Sequence, residues 1–121
     1  MGKLIIALLI LATAGTVQAQ TIRVTATAYC FSRNNHTASG EHPTEKTIGI
    51  SRDIKRKYKI KWGQRVWING VGYRIVNDLM AAKWVNRIDI WLPTIRQCRK
   101  FGRRSTTIIL CPDKHSVRYK R

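Results

Sequence analysis

Six stretches of the chain are β-branched or alternate between apolar and polar positions, and polar, turn-rich segments separate them. Ile22 to Tyr29 (IRVTATAY) alternates, and Thr47 to Ser51 forms a second short run. Arg65 to Ile68 and Val71 to Val76 flank Asn69-Gly70. Asn-Gly between such runs predicts a hairpin whose two turn residues both take positive φ. Arg87 to Leu92 (RIDIWL) alternates again, and Ser105 to Leu110 (STTIIL) is the last run. In PTIRQCRKFG, Thr94 can cap a short helix, Cys98 and Phe101 can face inward, and Gly102 can end it. The reading is mainly β: six strands and one short helix, best satisfied by a closed barrel without exposed edges. The polar segment from Asn34 to Lys46 reads as a surface loop.

A separate apolar block opens the chain. Lys3 precedes Leu4 to Ala14, and Val17-Gln18-Ala19 offers small residues at a cleavage site. This is the layout of a signal peptide over residues 1–19, with one domain from Gln20 to Arg121. The block is shorter than the roughly 20 residues that span a bilayer. Its removal implies export, to the periplasm or to the extracellular cell wall.

Charge then shapes the choice of partner. With 23 Lys and Arg against 6 Asp and Glu, the formal net charge is +17. The bases cluster at Arg52 to Lys61, at Arg96 to Arg104, and in a basic tail over about 112–121. In an exported protein such charge is matched by anionic envelope polymers, in a salt-dependent way, and nucleic acid is not expected. A basic effector acting through charge alone is a third class, weaker than the two below. Cys30, Cys98 and Cys111 make an odd count, for which one disulfide and one free thiol is the simplest account; spacing does not identify the pair. Neither these cysteines nor the three scattered histidines match a zinc pattern, the sequence shows no dedicated metal loop, and no cofactor is expected.

Acids are rare, so their positions are informative. In RIDIWL the period of two puts Arg87, Asp89 and Trp91 on the face opposite Ile88, Ile90 and Leu92. A carboxyl beside a Trp in a cleft suits a general acid with a raised pKa, and Trp84 and Trp91 could stack on sugar rings. The alternative is a surface ion pair between Asp89 and Arg87.

From Val24 to Leu110 the chain resembles the three-aspartate (3D) domain family, whose double-psi β-barrel is similar to the catalytic barrel of membrane-bound lytic transglycosylase A and, more distantly, to rare lipoprotein A. The matching pieces come in order. They are Thr27-Ala28-Tyr29, Thr37-Ala38-Ser39-Gly40, Gly49-Ile50-Ser51 leading to Asp53, the run from Gly63 to Tyr73 leading to Asp78, Asn86 to Trp91, and Gly102-Arg103-Arg104. The resemblance implies a lytic transglycosylase acting on peptidoglycan glycan strands, here expected to be exported and monomeric. Such an enzyme breaks the MurNAc–GlcNAc β-1,4 bond without water and leaves a 1,6-anhydromuramyl end. One carboxyl can serve as acid and then as base. The implied catalytic set is Asp89 as acid/base, with Asp78 and Asp53 tuning it or holding the sugar. The resemblance implies Thr37 and Ser39 as hydrogen-bond donors lining the cleft, and the expected substrate contacts further include Tyr29, Lys83, Trp84, Asn86, Arg87 and Trp91.

One segment departs from the pattern. The family usually has Thr-Gly-Gly after its second aspartate, whereas Leu79-Met80-Ala81 follows Asp78 here. Glycine lets a backbone approach a ligand closely, and Met and Ala narrow that option. The departure favours a second reading, a non-catalytic wall-binding or wall-loosening protein on the same barrel.

Overall fold

The structure is a computed structural model that describes residues 20–31 and 35–112; the leader over 1–19 and nearly all of the basic tail lie outside the described residues. The elements are β1 (Thr21–Tyr29), β2 (Thr47–Ile50), α1 (Arg52–Lys57), β3 (Gln64–Ile68), β4 (Gly72–Leu79), β5 (Arg87–Trp91), α2 (Ile95–Phe101) and β6 (Arg104–Leu110). The strands close into a barrel in the order β1-β5-β2-β4-β3-β6. Two pairings, β1 with β5 and β2 with β4, are parallel, and the other four are antiparallel. The six-stranded double-psi barrel expected from the sequence is therefore the fold.

The alternating pattern builds the interior. Ile22, Val24 and Ala26 of β1 point inward, as do Ile48 and Ile50, Val66 and Ile68, Val76, Ile88 and Ile90, and Ile108 and Leu110. These side chains form one cluster in which most members are inaccessible to solvent. Branched aliphatic residues suit this interior because their restricted rotamers pack well on a pleated surface.

Two local expectations need correction. The β3–β4 hairpin exists, but its loop has three residues, since Ile68 pairs with Gly72. Gly70 and Gly72 take positive φ, at 79° and 112°, and Asn69 does not. Asn69 is held to β6 instead: its N–H donates to Thr107 O at 3.0 Å and its carbonyl accepts from Thr106 Oγ1 at 2.9 Å. There are also two helices rather than one. The basic cluster after β2 folds as α1, with Asp53 in its first turn and Lys55, Arg56 and Lys57 in its last, a charge order that complements the helix dipole. α2 forms as expected, with Thr94 Oγ1 accepting from Gln97 N at 3.2 Å and Gly102 at φ 66° ending it.

Candidate functional site

The register places two carboxyls side by side. β2 lies between β4 and β5, and Gly49 pairs with Asp78 on one side and with Asp89 on the other. Ile48 and Ile50 point into the barrel, so Gly49 and its two partners face outward. Asp78 reaches that face only because the β2–β4 register shifts between Ile48 and Gly49. Ile48 pairs with Val76 and Gly49 with Asp78, so Asn77 is the extra residue of a bulge. Without the shift, Asn77 would oppose Gly49 and Asp78 would turn toward the core. Asn77 is buried, and its Nδ2 donates to Thr47 Oγ1 at 3.3 Å.

A cleft of about 170 Å³ opens over this trio. Tyr29, Gly49, Asp78, Leu79, Met80, Ala81, Trp84 and Asp89 line it. Asp78 is a fixed acceptor. Its Oδ2 takes the Tyr29 hydroxyl at 2.6 Å, and its Oδ1 takes Ala38 N at 3.0 Å and Leu79 N at 2.9 Å. Burial, reinforced by the bond to Asp78, holds the Tyr29 phenol far above its ordinary range, so Tyr29 stays a donor.

Asp89 is in a different state. One oxygen accepts from Thr27 Oγ1 at 2.9 Å. Burial is the main influence and, with the nearby Asp78 charge, lifts its pKa to about 6, against the opposing effects of Thr27 and Arg87. Two carboxyls on one cleft thus differ in state: Asp78 already holds three donors, and Asp89 can hold and release a proton near neutral pH. The surface ion pair with Arg87 does not form. The Arg87 guanidinium lies 4.2 Å from the centre of the Trp84 ring instead, and Lys83 Nζ lies 4.9 Å from that centre.

Several residues expected at the site stand elsewhere. Asp53 is exposed and outside the cleft; its Oδ2 accepts from Asn86 N at 3.0 Å. Partial burial pushes the Asp53 carboxyl upward, but hydrogen bonds from Ser51 and the Asn86 and Ile54 backbones outweigh it and hold the group below its usual value. Asn86 is likewise exposed at a corner with φ 54°, where its carbonyl accepts from Thr25 N at 3.1 Å. Trp91 does lie on the Asp89 face, yet it is 1% exposed and its Nε1 donates to Phe31 O at 3.3 Å. The chain leaving β1 covers it, so it cannot stack on a sugar. Thr37 and Ser39 bond each other at 2.9 Å, and Ser39 N donates to Asn77 O, which pins their loop to β4. Neither lines the cleft. Their neighbour Ala38, whose side chain marks it for no role, supplies the useful donor through its backbone. Lys83 touches the site only through Trp84. The three cysteines are all free thiols, so the disulfide is not formed; Cys30 Sγ donates to Pro93 O at 3.4 Å.

Comparison with known proteins sets this geometry in context. No family model matches the chain. It is 30% identical over 98 residues to YabE of Bacillus subtilis, a protein named for shaping the cell wall. That match covers 77% of this chain, which spans 23% of YabE. Among solved structures, the barrel is similar to an expansin of Clavibacter michiganensis without ligand, with a TM-score of 0.58 and 17% identity. It is also similar to a point mutant of a C. michiganensis expansin in complex with cellohexaose, with a TM-score of 0.55 and 15% identity. Each likeness covers 78% of this chain and 52% of the expansin, and at these identities it concerns the fold.

Proposed function

We propose that the protein binds glycan strands of the cell wall in the Asp78–Asp89 cleft and shapes or loosens the wall through that contact. The observation that carries this reading is the pairing of both carboxyls with Gly49, which leaves a side-chain-free floor beneath two hydrogen-bonding groups. Sugar rings offer hydroxyls to carboxyls and apolar faces to indoles, and the cleft supplies both through Asp78, Asp89 and Trp84. The similarity to YabE and the cellohexaose bound by an expansin mutant of the same fold support a wall polysaccharide as ligand. In this reading the protein is exported to the cell wall or periplasm. Its relation to the three-aspartate family rests on Asp53, Asp78 and Asp89. Asp53 contributes indirectly, by holding Asn86 and with it the start of the strand that carries Asp89.

One observation favours a second reading, lytic cleavage of the MurNAc–GlcNAc bond. A carboxyl with a pKa of about 6 can protonate a glycosidic oxygen and then take a proton from the muramyl 6-hydroxyl as it attacks the anomeric carbon, leaving the 1,6-anhydro end. Asp78 already holds three donors, so the scheme would rest on Asp89 alone.

Both readings meet one experiment. The purified protein is incubated with isolated peptidoglycan and with cellulose, and pellets and soluble fragments are analysed by sedimentation and mass spectrometry. Binding to peptidoglycan without release supports the wall-binding function. Release of anhydromuramyl fragments, absent with Asp89→Asn, supports cleavage. Failure to bind either polymer contradicts both.

A further inference from the structure

A second hollow adjoins the cleft and has opposite character. It measures about 250 Å³ and is lined by Arg52, Lys55, Arg56 and Leu79. Leu79 also lines the cleft, so a single side chain borders both spaces. The hollow is built by the same backbone as the site: α1 follows β2, whose Gly49 is the cleft floor, and Arg52 Nε donates to the carbonyl of Met80 at 3.3 Å. That bond fixes the Arg52 head group against the wall of the cleft and uses only one of its nitrogens. Lys55 Nζ lies 4.5 Å from the centre of the Trp62 ring.

Among the described residues no carboxylate pairs with Arg52, Lys55 or Arg56. Three cations around one hollow repel one another, and an anion entering it relieves that repulsion while gaining charge-assisted hydrogen bonds. A planar carboxylate suits the remaining guanidinium nitrogens.

We propose that Arg52, Lys55 and Arg56 form a carboxylate subsite that recognises an acidic substituent on the glycan held in the Asp78–Asp89 cleft. The inference rests on the glycan-binding reading above and deepens it. A glycan whose sugars carry a carboxylate on a short side arm occupies both spaces, whereas a neutral glycan fills the cleft and leaves the cations unmatched. The subsite thus selects among wall polymers, in favour of lactyl-bearing and peptide-bearing strands.

Titration calorimetry of the purified protein at about 0.15 M salt tests this with soluble probes. One is a neutral N-acetylglucosamine tetramer. The others are GlcNAc–MurNAc tetrasaccharides with and without their peptides. The expected result is tighter binding of a carboxylate-bearing probe, by about tenfold, from charge-assisted contacts at a partly solvated site. The Arg52→Gln/Lys55→Gln/Arg56→Gln variant should lose that preference and keep its affinity for the neutral tetramer. A charge-matched variant on and after α2, Arg99→Gln/Lys100→Gln/Arg103→Gln, should keep it. Preference for the peptide-free probe assigns the lactyl carboxylate, and preference that needs the peptide assigns the peptide's; either supports the subsite. Preference that survives in the pocket variant, or falls equally in both variants, overturns it. Equal affinity of the unmodified protein for all probes also overturns the subsite while leaving the cleft reading intact. Binding of none contradicts the cleft reading itself. Should the triple variant fold poorly by circular dichroism, the single exposed change Arg56→Gln must still reduce the preference.

Discussion

Asp78 and Asp89 are partners of the same residue: Gly49 pairs with each of them, across β4 on one side and β5 on the other. A Cβ added at Gly49 would meet the Cβ atoms of both aspartates at 3.8 Å and Met80 Cγ at 3.6 Å. These are ordinary contact distances, so Gly49→Ala should fold with a stability change within about 1 kcal/mol. Gly49→Val adds branches that enter the cleft, and its expected effect is a loss of wall-glycan affinity of order tenfold or more. Sedimentation with peptidoglycan compares the three proteins directly; equal binding by the valine variant would remove the floor of the cleft from the account.

The raised pKa of Asp89 also has a stability consequence. Its folded value of about 6 exceeds the ordinary value of 3.8, so the folded protein holds the proton more tightly than the unfolded chain does. Between about pH 4 and pH 6 the unfolded state releases that proton first, and stability falls as pH rises. Asp89→Asn removes the penalty. The variant should exceed the unmodified protein by on the order of 1–3 kcal/mol at pH 7, with the difference fading below pH 4. Urea unfolding at several pH values measures it. A variant that is less stable at pH 7 would make Asp89 a structural residue.

Tyr29 and Asp78 give a prediction of the opposite sign. Tyr29→Phe keeps the ring and removes a 2.6 Å bond to a carboxyl group. Loss of a hydrogen bond to a charged group costs about 1.5–3 kcal/mol. Denaturant midpoints should drop accordingly, and glycan binding should weaken because Asp78 keeps only its backbone donors.

The fold was largely legible from alternation in strands such as β5, where Ile88 and Ile90 are buried on either side of Asp89. What escaped depended on contacts made far along the chain. The extension of β4 through Leu79 hides behind the bulge at Asn77, which breaks the alternation with no residue type that announces it. α1 is too short to show a periodic stripe and buries only Ile54, although Asp53 ahead of three bases was a usable dipole signal. Alternation places Trp91 on the Asp89 face, but only the three-dimensional path of Phe31 shows that it is covered. Asp53 was grouped with the other aspartates by resemblance, and its bond to Asn86 across the loop removes it from the cleft. Asp78 and Asp89 were legible as candidates, whereas their difference in state arises from Tyr29, Ala38 and Thr27, none of them adjacent in sequence.

Trp84 tests the apolar side of the cleft. Its ring is stacked by Arg87 and flanked by Lys83, so Trp84→Ala removes a sugar-facing surface and frees two cations. Because the ring is half-buried on a loop outside the barrel interior, the cost in stability should stay near 1 kcal/mol. Affinity for peptidoglycan should fall by order tenfold, measured by sedimentation across a concentration series.

The most direct measurement is a map of backbone amide shifts by two-dimensional NMR while a soluble GlcNAc–MurNAc oligosaccharide is titrated into the protein. The amides of Ala38, Gly49, Leu79, Trp84 and Asp89 should move together and saturate at one affinity, with those of β3 and β6 unchanged. Shifts confined to α2 and the basic C-terminal residues, with Gly49 and Asp89 still, would contradict it.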